Sequence, residues 1–318
     1  MITSFYKVDG KRFQKQYKHH LSGFKEWDQG DHAEDWLLFP DNIGPSLSLD
    51  ETAFTNGELY TILTNKEAKG KKGCLVAMIK GTQADQVIKI LSKISFKKRR
   101  AVKEVTLDMA GSMNLIVDKS FTKAVKVIDR FHVQRLMMDG LQDIRIKYRW
   151  QAIDAENEAI EQAKQKGETH KAKLLSNGDT LKQLLARSRY LLYKSSNKWT
   201  ARQIERSKLL FERYPDIETA YKLTQELKGI FEHTVLKEVA FTRLAQWDRK
   251  VRETEFKAFN TVCNTITTHY QGILNFFDNR STNAAAESFN AKIKAFRAQF
   301  RGVTKIDFFL FRLAKLYA

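Results

Sequence analysis

The sequence predicts an α/β fold: a mixed β-sheet with flanking helices, interrupted by a large all-helical insertion. Three observations lead there. Short alternating or continuous apolar runs, separated by polar and glycine-bearing turns, cluster between residues 46 and 135. From 136 to 280 glycine is sparse, proline occurs once, at Pro215, and long Lys-, Glu- and Gln-rich stretches have helical periodicity. After 280 a helix-start cluster, Arg280-Ser281-Thr282-Asn283, leads into an amphipathic segment that ends the chain at 318.

The elements come in this order along the chain. Residues 1–45 open with basic and aromatic side chains and carry an apolar patch at Trp36-Leu37-Leu38-Phe39-Pro40; they read as a loose lead-in that docks on the strands after it. Ser46-Leu47-Ser48-Leu49-Asp50 alternates and reads as a strand ended by Asp50. Glu58 to Thr64 is a second strand, and Asn65 to Gly73 a polar turn. Cys74 to Ile79 is a third strand. Residues 83–95 have helical spacing, Val102 to Asp108 is a fourth strand, and a short helix near 112–118 precedes a fifth, Val125 to Asp129. Three strands, a helix, a strand, a helix and a strand is the order of an RNase H-like sheet. In the insertion, Ala155–Lys173, Thr180–Tyr193 and Thr200–Arg213 read as helices. Its aromatics Trp199, Trp247, Tyr190, Tyr193 and Phe211 are expected in its own core rather than against DNA bases. After 280, Ala286, Phe289, Ile293 and Phe296 form an apolar stripe, with Glu287, Asn290 and Lys294 on an adjoining polar side. Phe308 to Phe311 is expected in a helix closing the core.

The charge balance narrows the partner. Fifty-five Lys and Arg stand against 37 Asp and Glu, a net charge of +18. Such a surplus favours a polyanion, because neutralised phosphates release their counterions. Two distant cysteines, Cys74 and Cys263, exclude a Cys-rich zinc ribbon and a disulfide framework and are expected as buried free thiols. His19, His20 and His32 lack the partners of a zinc site and are expected at the surface. No apolar run reaches membrane-spanning length, and Met1 to Lys7 lacks the layout of a signal peptide, so the expected place is the cytoplasm.

Asp50 and Asp108 each close an apolar strand, and Asp108 is followed by the small-residue turn Ala110-Gly111-Ser112. Carboxylates at strand ends face the crevice where open α/β sheets bind ligands. Two such Asp with a Glu on a later helix, among basic neighbours, are the parts of a two-metal phosphoryl-transfer site. Hard divalent ions demand oxygen donors, and ions about 3.5–4 Å apart need a bridging carboxylate, for which Asp50 is the candidate.

Three segments carry a family resemblance: Ser48-Leu49-Asp50-Glu51-Thr52, Thr106-Leu107-Asp108-Met109-Ala110, and Ala286-Glu287-Ser288-Phe289-Asn290-Ala291-Lys292-Ile293-Lys294. They resemble the three catalytic blocks of DDE transposases of bacterial insertion sequences, in the ISL-three-type group and its ISAon-like branch. Ile128-Asp129-Arg130-Phe131-His132-Val133 resembles that group's block after the second Asp. The resemblance runs from about residue 45 to the end. It implies cleavage of transposon ends and strand transfer into target DNA, with two Mg²⁺ ions (Mn²⁺ able to substitute) held by Asp50, Asp108 and Glu287. It makes Asp129 and His132 accessory residues, and Lys292, Lys294 and Asn290 contacts to double-stranded DNA. It further implies a homo-oligomer on DNA and a nucleoid-associated bacterial location. Relatives carry an N-terminal region that reads transposon ends; no Cys/His cluster for one precedes Asp50, so either the end-reading module is a separate polypeptide or the gene is a fragment, and the ISAon-like resemblance favours the separate polypeptide. The alternatives are an RNase H-like nuclease without strand transfer and a transposase-derived DNA-binding protein without catalysis.

Overall fold

The computed structural model describes residues 9–53, 58–254, 256–299 and 306–318. The Met1–Lys7 opening read for a signal peptide lies outside the described residues, as do 300–305 of the C-terminal segment. The chain forms two compact units, one of Met1–Asp129 with Arg280–Ala318, the other of Arg130–Asn279.

The first unit is built on a mixed sheet. Its strands are β1 (Trp36–Leu38), β2 (Ser46–Ala53), β3 (Leu59–Asn65), β4 (Leu75–Lys80), β5 (Glu104–Leu107) and β6 (Val125–Ile128), in the order β1-β4-β3-β2-β5-β6. β1, β4, β3 and β2 pair antiparallel, while β2, β5 and β6 pair parallel. Apart from β1, the order is third, second, first, fourth, fifth, the arrangement of an RNase H-like sheet. The parallel pairs need crossovers, and the helices Ala84–Leu91 and Gly111–Ser120 lie in them. β4 reads as a continuous apolar run from Leu75 to Ile79, as a strand buried on both faces does, and β5 is buried along its length although Glu104 and Thr106 alternate with Val105 and Leu107. On one face Leu37, Tyr60, Ile62, Leu75 and Met78 pack against Phe289 and Ile293 of the helix Ala284–Gln299, and against Phe309, Leu310 and Leu313 of the helix Ile306–Tyr317. The predicted apolar stripe and closing aromatic helix are both there.

Two sequence expectations are corrected. The lead-in is not all loose: Trp36-Leu37-Leu38 forms β1, with Leu37 opposite Met78, and so covers the outer edge of β4. Asp50 does not end β2, because pairing with β3 continues through Asp50–Ile62 to Ala53–Leu59. The ladder with β5 stops earlier, at Ser48–Thr106. Asp50 therefore sits where β2 has left one neighbour and kept the other.

The second unit is helical. Arg130–Gln165 is its longest described helix, and it packs against Leu181–Arg187, Pro215–His233 and Lys257–Thr268. The expected helix through Lys173 stops at Gln165, because Gly167 at φ +73° turns the chain out in a left-handed cap. Thr180–Gln183 and Thr200–Gln203 form capping boxes that start the helices Leu181–Arg187 and Ala201–Arg213. The expected Thr180–Tyr193 helix is broken at Ser188, between Leu181–Arg187 and Arg189–Leu192. Trp247 is fully buried and donates from Nε1 to the Leu223 carbonyl at 2.9 Å. Trp199 and Phe211 stack around Tyr221. Those three aromatics belong to the insertion's core, while Tyr190 is 68% exposed.

Candidate active site

Strand register brings the acidic positions together. Ser48 and Thr106 are the last pair joining β2 to β5, and Asp50 and Asp108 each follow that pair by two residues. Leu107 pairs with Ile128 across β5 and β6, so Asp129 stands level with Asp108. Asp108 and Asp129 thus share a row at the carboxyl ends of β5 and β6, next to the stretch of β2 that carries Asp50. Asp108 accepts from the Ala110 amide at 2.9 Å, which closes the turn into the helix Gly111–Ser120. Asp129 is 1% exposed, and its amide donates to the Leu107 carbonyl at 3.0 Å. His132 lies in the first turn of the helix Arg130–Gln165, in the other unit.

The helix Ala284–Gln299 is docked on β2 through two asparagines. The Ser48 hydroxyl donates to Asn283 Oδ1 at 2.6 Å, and both residues are buried. Asn290 Nδ2 donates to Asp50 Oδ2 at 2.7 Å, while Asp50 Oδ1 accepts from the Glu51 amide at 2.8 Å. Helix spacing puts residues 283, 287 and 290 on one face, so Glu287 lies between the two anchors. Glu287 is exposed, and its amide donates to the Asn283 carbonyl at 2.8 Å. Asn290, read from the sequence as a DNA contact, is instead 9% exposed and engaged with Asp50. Lys292 donates to the Gly70 carbonyl at 3.0 Å, and Lys294 is exposed.

Several residues that the sequence did not single out support this corner. Lys66 Nζ lies 3.1 Å from Glu104 Oε1 and donates to Thr106 Oγ1 at 2.7 Å. Ser281, at the return of the chain from the helical unit, hydrogen-bonds both Lys66 and Glu104. The Glu51 carboxyl is pushed above its usual range by burial first, then by the negative charges of Asp108 and Asp50. Only Glu51 carried a sequence signal, its place beside Asp50; the Lys66 and Ser281 contacts are made by tertiary structure.

Among the described residues no three His, Cys, Asp or Glu side chains are gathered as a ready-made metal-binding group. The donors nevertheless suit a hard divalent cation: carboxylate oxygens next to a buried Asn290 Oδ1 that accepts no hydrogen bond from any described residue. His32 stacks on Trp36 with ring centroids 3.4 Å apart and bonds its carbonyl at 2.9 Å, a structural role. Cys74 and Cys263 are buried free thiols, as expected.

A transposase family model of the ISL-three DDE group matches residues 47–313. The chain belongs to the ISL-three-type DDE transposase family. Searches of curated proteins and of solved structures each found no match. The matched range takes in most of β2, all of β5, the Glu287 helix and the helical unit between them. Members are transposases: they process DNA in the recombination that moves insertion sequences, and DDE transposases use divalent metal ions. Among the described residues no helix is long and apolar enough to cross a membrane.

Proposed function

We propose that the chain is the catalytic subunit of an insertion-sequence transposase, cleaving transposon ends and joining them to target DNA at a site built from Asp50, Asp108 and Glu287. The observation that carries the reading is the Asn290–Asp50 hydrogen bond, which fastens the Glu287 helix to β2 two residues past the Ser48–Thr106 pair that also precedes Asp108 by two. Asp50, Asp108 and Glu287 would hold two Mg²⁺ ions, or Mn²⁺ in their place. When bound, such ions activate the attacking water or 3′-hydroxyl and stabilise the leaving oxygen of an in-line displacement.

The chain's own part is to prepare the oxygens. The Glu51 amide and Asn290 hold the two Asp50 oxygens in fixed directions. The Ala110 amide does the same for Asp108 Oδ1. Glu287, exposed between the Asn283 and Asn290 anchors, can adjust its side chain when DNA arrives. Asp129, level with Asp108, and His132 serve as accessory residues, and Lys292 and Lys294 lie on the Glu287 helix where they would meet phosphates. Double-stranded DNA is the substrate, as transposon end and as target. Two copies of the chain bring two ends together.

The test is to incubate the chain with a pre-cut transposon end, its partner polypeptide, plasmid DNA and Mg²⁺. Joined end–plasmid products are expected, and they should vanish with Asp50→Ala. Hydrolysis without joined products would make the chain a nuclease. Undiminished joining by Asp50→Ala would defeat the catalytic reading.

A further inference from the structure

Asn290 has an unusual position for a polar residue on an amphipathic helix. It is 9% exposed, and its amide nitrogen reaches Asp50 Oδ2 at 2.7 Å across 240 residues of chain. A carboxylate only accepts hydrogen bonds, so the amide must turn its N–H towards Asp50. That identifies the other atom as the carbonyl oxygen. This Oδ1 is buried and accepts no hydrogen bond from any described residue. Burying an amide oxygen without a partner is unfavourable, and a leucine of similar size would avoid the loss. An oxygen kept in such a place, against a carboxylate, calls for a cation. Amide carbonyls serve hard divalent ions alongside carboxylates. Glu287 lies three residues earlier on the same helix, which makes the two side chains neighbours.

We propose that Asn290 is part of the divalent-cation site: its N–H holds the Asp50 carboxylate, and its carbonyl oxygen is a neutral fourth oxygen donor. The proposal rests on the reading of Asp50 as a metal-holding residue. It gives Asn290 two jobs that different substitutions separate.

The test is binding of Mn²⁺ alone to the full chain without DNA, followed by the electron paramagnetic resonance of the free ion. Circular dichroism establishes that each variant is folded. Asn290→Ala, or Asn290→Ser should the alanine variant not fold, is expected to weaken Mn²⁺ binding about 10–100-fold. Asn290→Asp keeps an oxygen and loses the N–H, and is expected to bind Mn²⁺ at least as tightly as the parent. Parent-like affinity in the Ala or Ser variant overturns the proposal, and an Asp variant as weak as the Ala variant overturns the donor role. Asp50→Ala, measured in parallel, separates the two readings. If it loses Mn²⁺ while Asn290→Ala does not, the inference about Asn290 falls and the proposed active site stands. If Asp50→Ala binds Mn²⁺ like the parent, the proposed site itself falls.

Discussion

Asp50 and Asp108 each lie two residues past the Ser48–Thr106 pair that joins the parallel strands β2 and β5. Like charges on adjacent strands repel, and neutralising one removes that cost. Asp50→Asn and Asp108→Asn are therefore expected to melt no lower than the parent in metal-free buffer. Their DNA cleavage should fall about a thousand-fold or more, since a divalent ion contributes several kcal/mol to such a transition state. Thermal melts and a strand-cleavage assay on the same preparations check both halves.

Lys66 and Glu104 form a buried ion pair, with side chains 14% and 11% exposed. Removing the ammonium leaves the carboxylate in a poor environment, so Lys66→Met should cost about 3–5 kcal/mol. Glu104→Gln should cost less, because the Thr106 and Ser281 hydroxyls remain near Lys66. The double variant Lys66→Met with Glu104→Gln should recover part of the loss. Urea unfolding of all three closes the cycle; costs that simply add would dismiss the coupling.

Gly140 lies inside the long helix Arg130–Gln165, where glycine costs about 1 kcal/mol relative to alanine. The reason is the Phe259 ring: a Cβ at 140 would meet it at 3.2 Å. Gly140→Val is expected to destabilise the helical unit by about 1–3 kcal/mol through overpacking. A Phe259→Leu background should relieve part of that loss, as chemical denaturation would register.

Asp179 is buried in the helical unit and holds two arginines, with Arg206 Nε at 3.0 Å and Arg187 bonded to its other oxygen. Burial alone would raise its carboxyl pKa, but hydrogen bonds from Arg206 and Arg187 outweigh it and hold it below the usual value. Its folded pKa is thus lower than its unfolded one, near about 3.9. The stability it contributes is present above that pH and is lost as pH falls through the folded value. Unfolding free energy should fall on acidification below about pH 4. Asp179→Asn should be less stable at pH 7 and flatter over the acidic range; an unchanged slope would remove Asp179 as the cause.

Burial pushes the Cys74 and Cys263 thiols up to about 12. At pH 8 almost none of either is thiolate, the reactive form. Both should resist a thiol-labelling reagent in the folded chain and react together once it is denatured.

The sheet was legible because its strands keep an apolar pattern that side-chain burial demands. Leu75 to Ile79 is buried throughout, and it reads so in one dimension. β1 was not legible: three residues are too few for a period, and its strand character comes from pairing with β4. Asp50 looks like a strand end because polar residues come after it, yet β3 carries the pairing on to Ala53. At the candidate site, the residue types are visible but their meetings are not. Nothing in the spacing announces that Asn283 accepts from Ser48, or that Ser281 joins Lys66 and Glu104. Those contacts span 235, 215 and 177 residues. The Glu287 block is readable mainly through its family resemblance, since a glutamate on an exposed helix face has no distinguishing period.

The sheet unit is discontinuous, leaving at Asp129 and resuming at Arg280. A ribosome that has made Asp50 must add 240 more residues before Asn290 exists. At about 5–20 residues per second that is roughly 12–48 s of synthesis during which the carboxylate has no clamp. The Arg130–Asn279 unit, contiguous in sequence, can fold during that interval, whereas the candidate site waits for the helix Ala284–Gln299. A chain released early, after β6, would keep every strand of the sheet and lack the helix that fastens onto Asp50. Synthesis of the Asn290 helix thus sets the earliest moment at which the Asp50 carboxylate can be fastened.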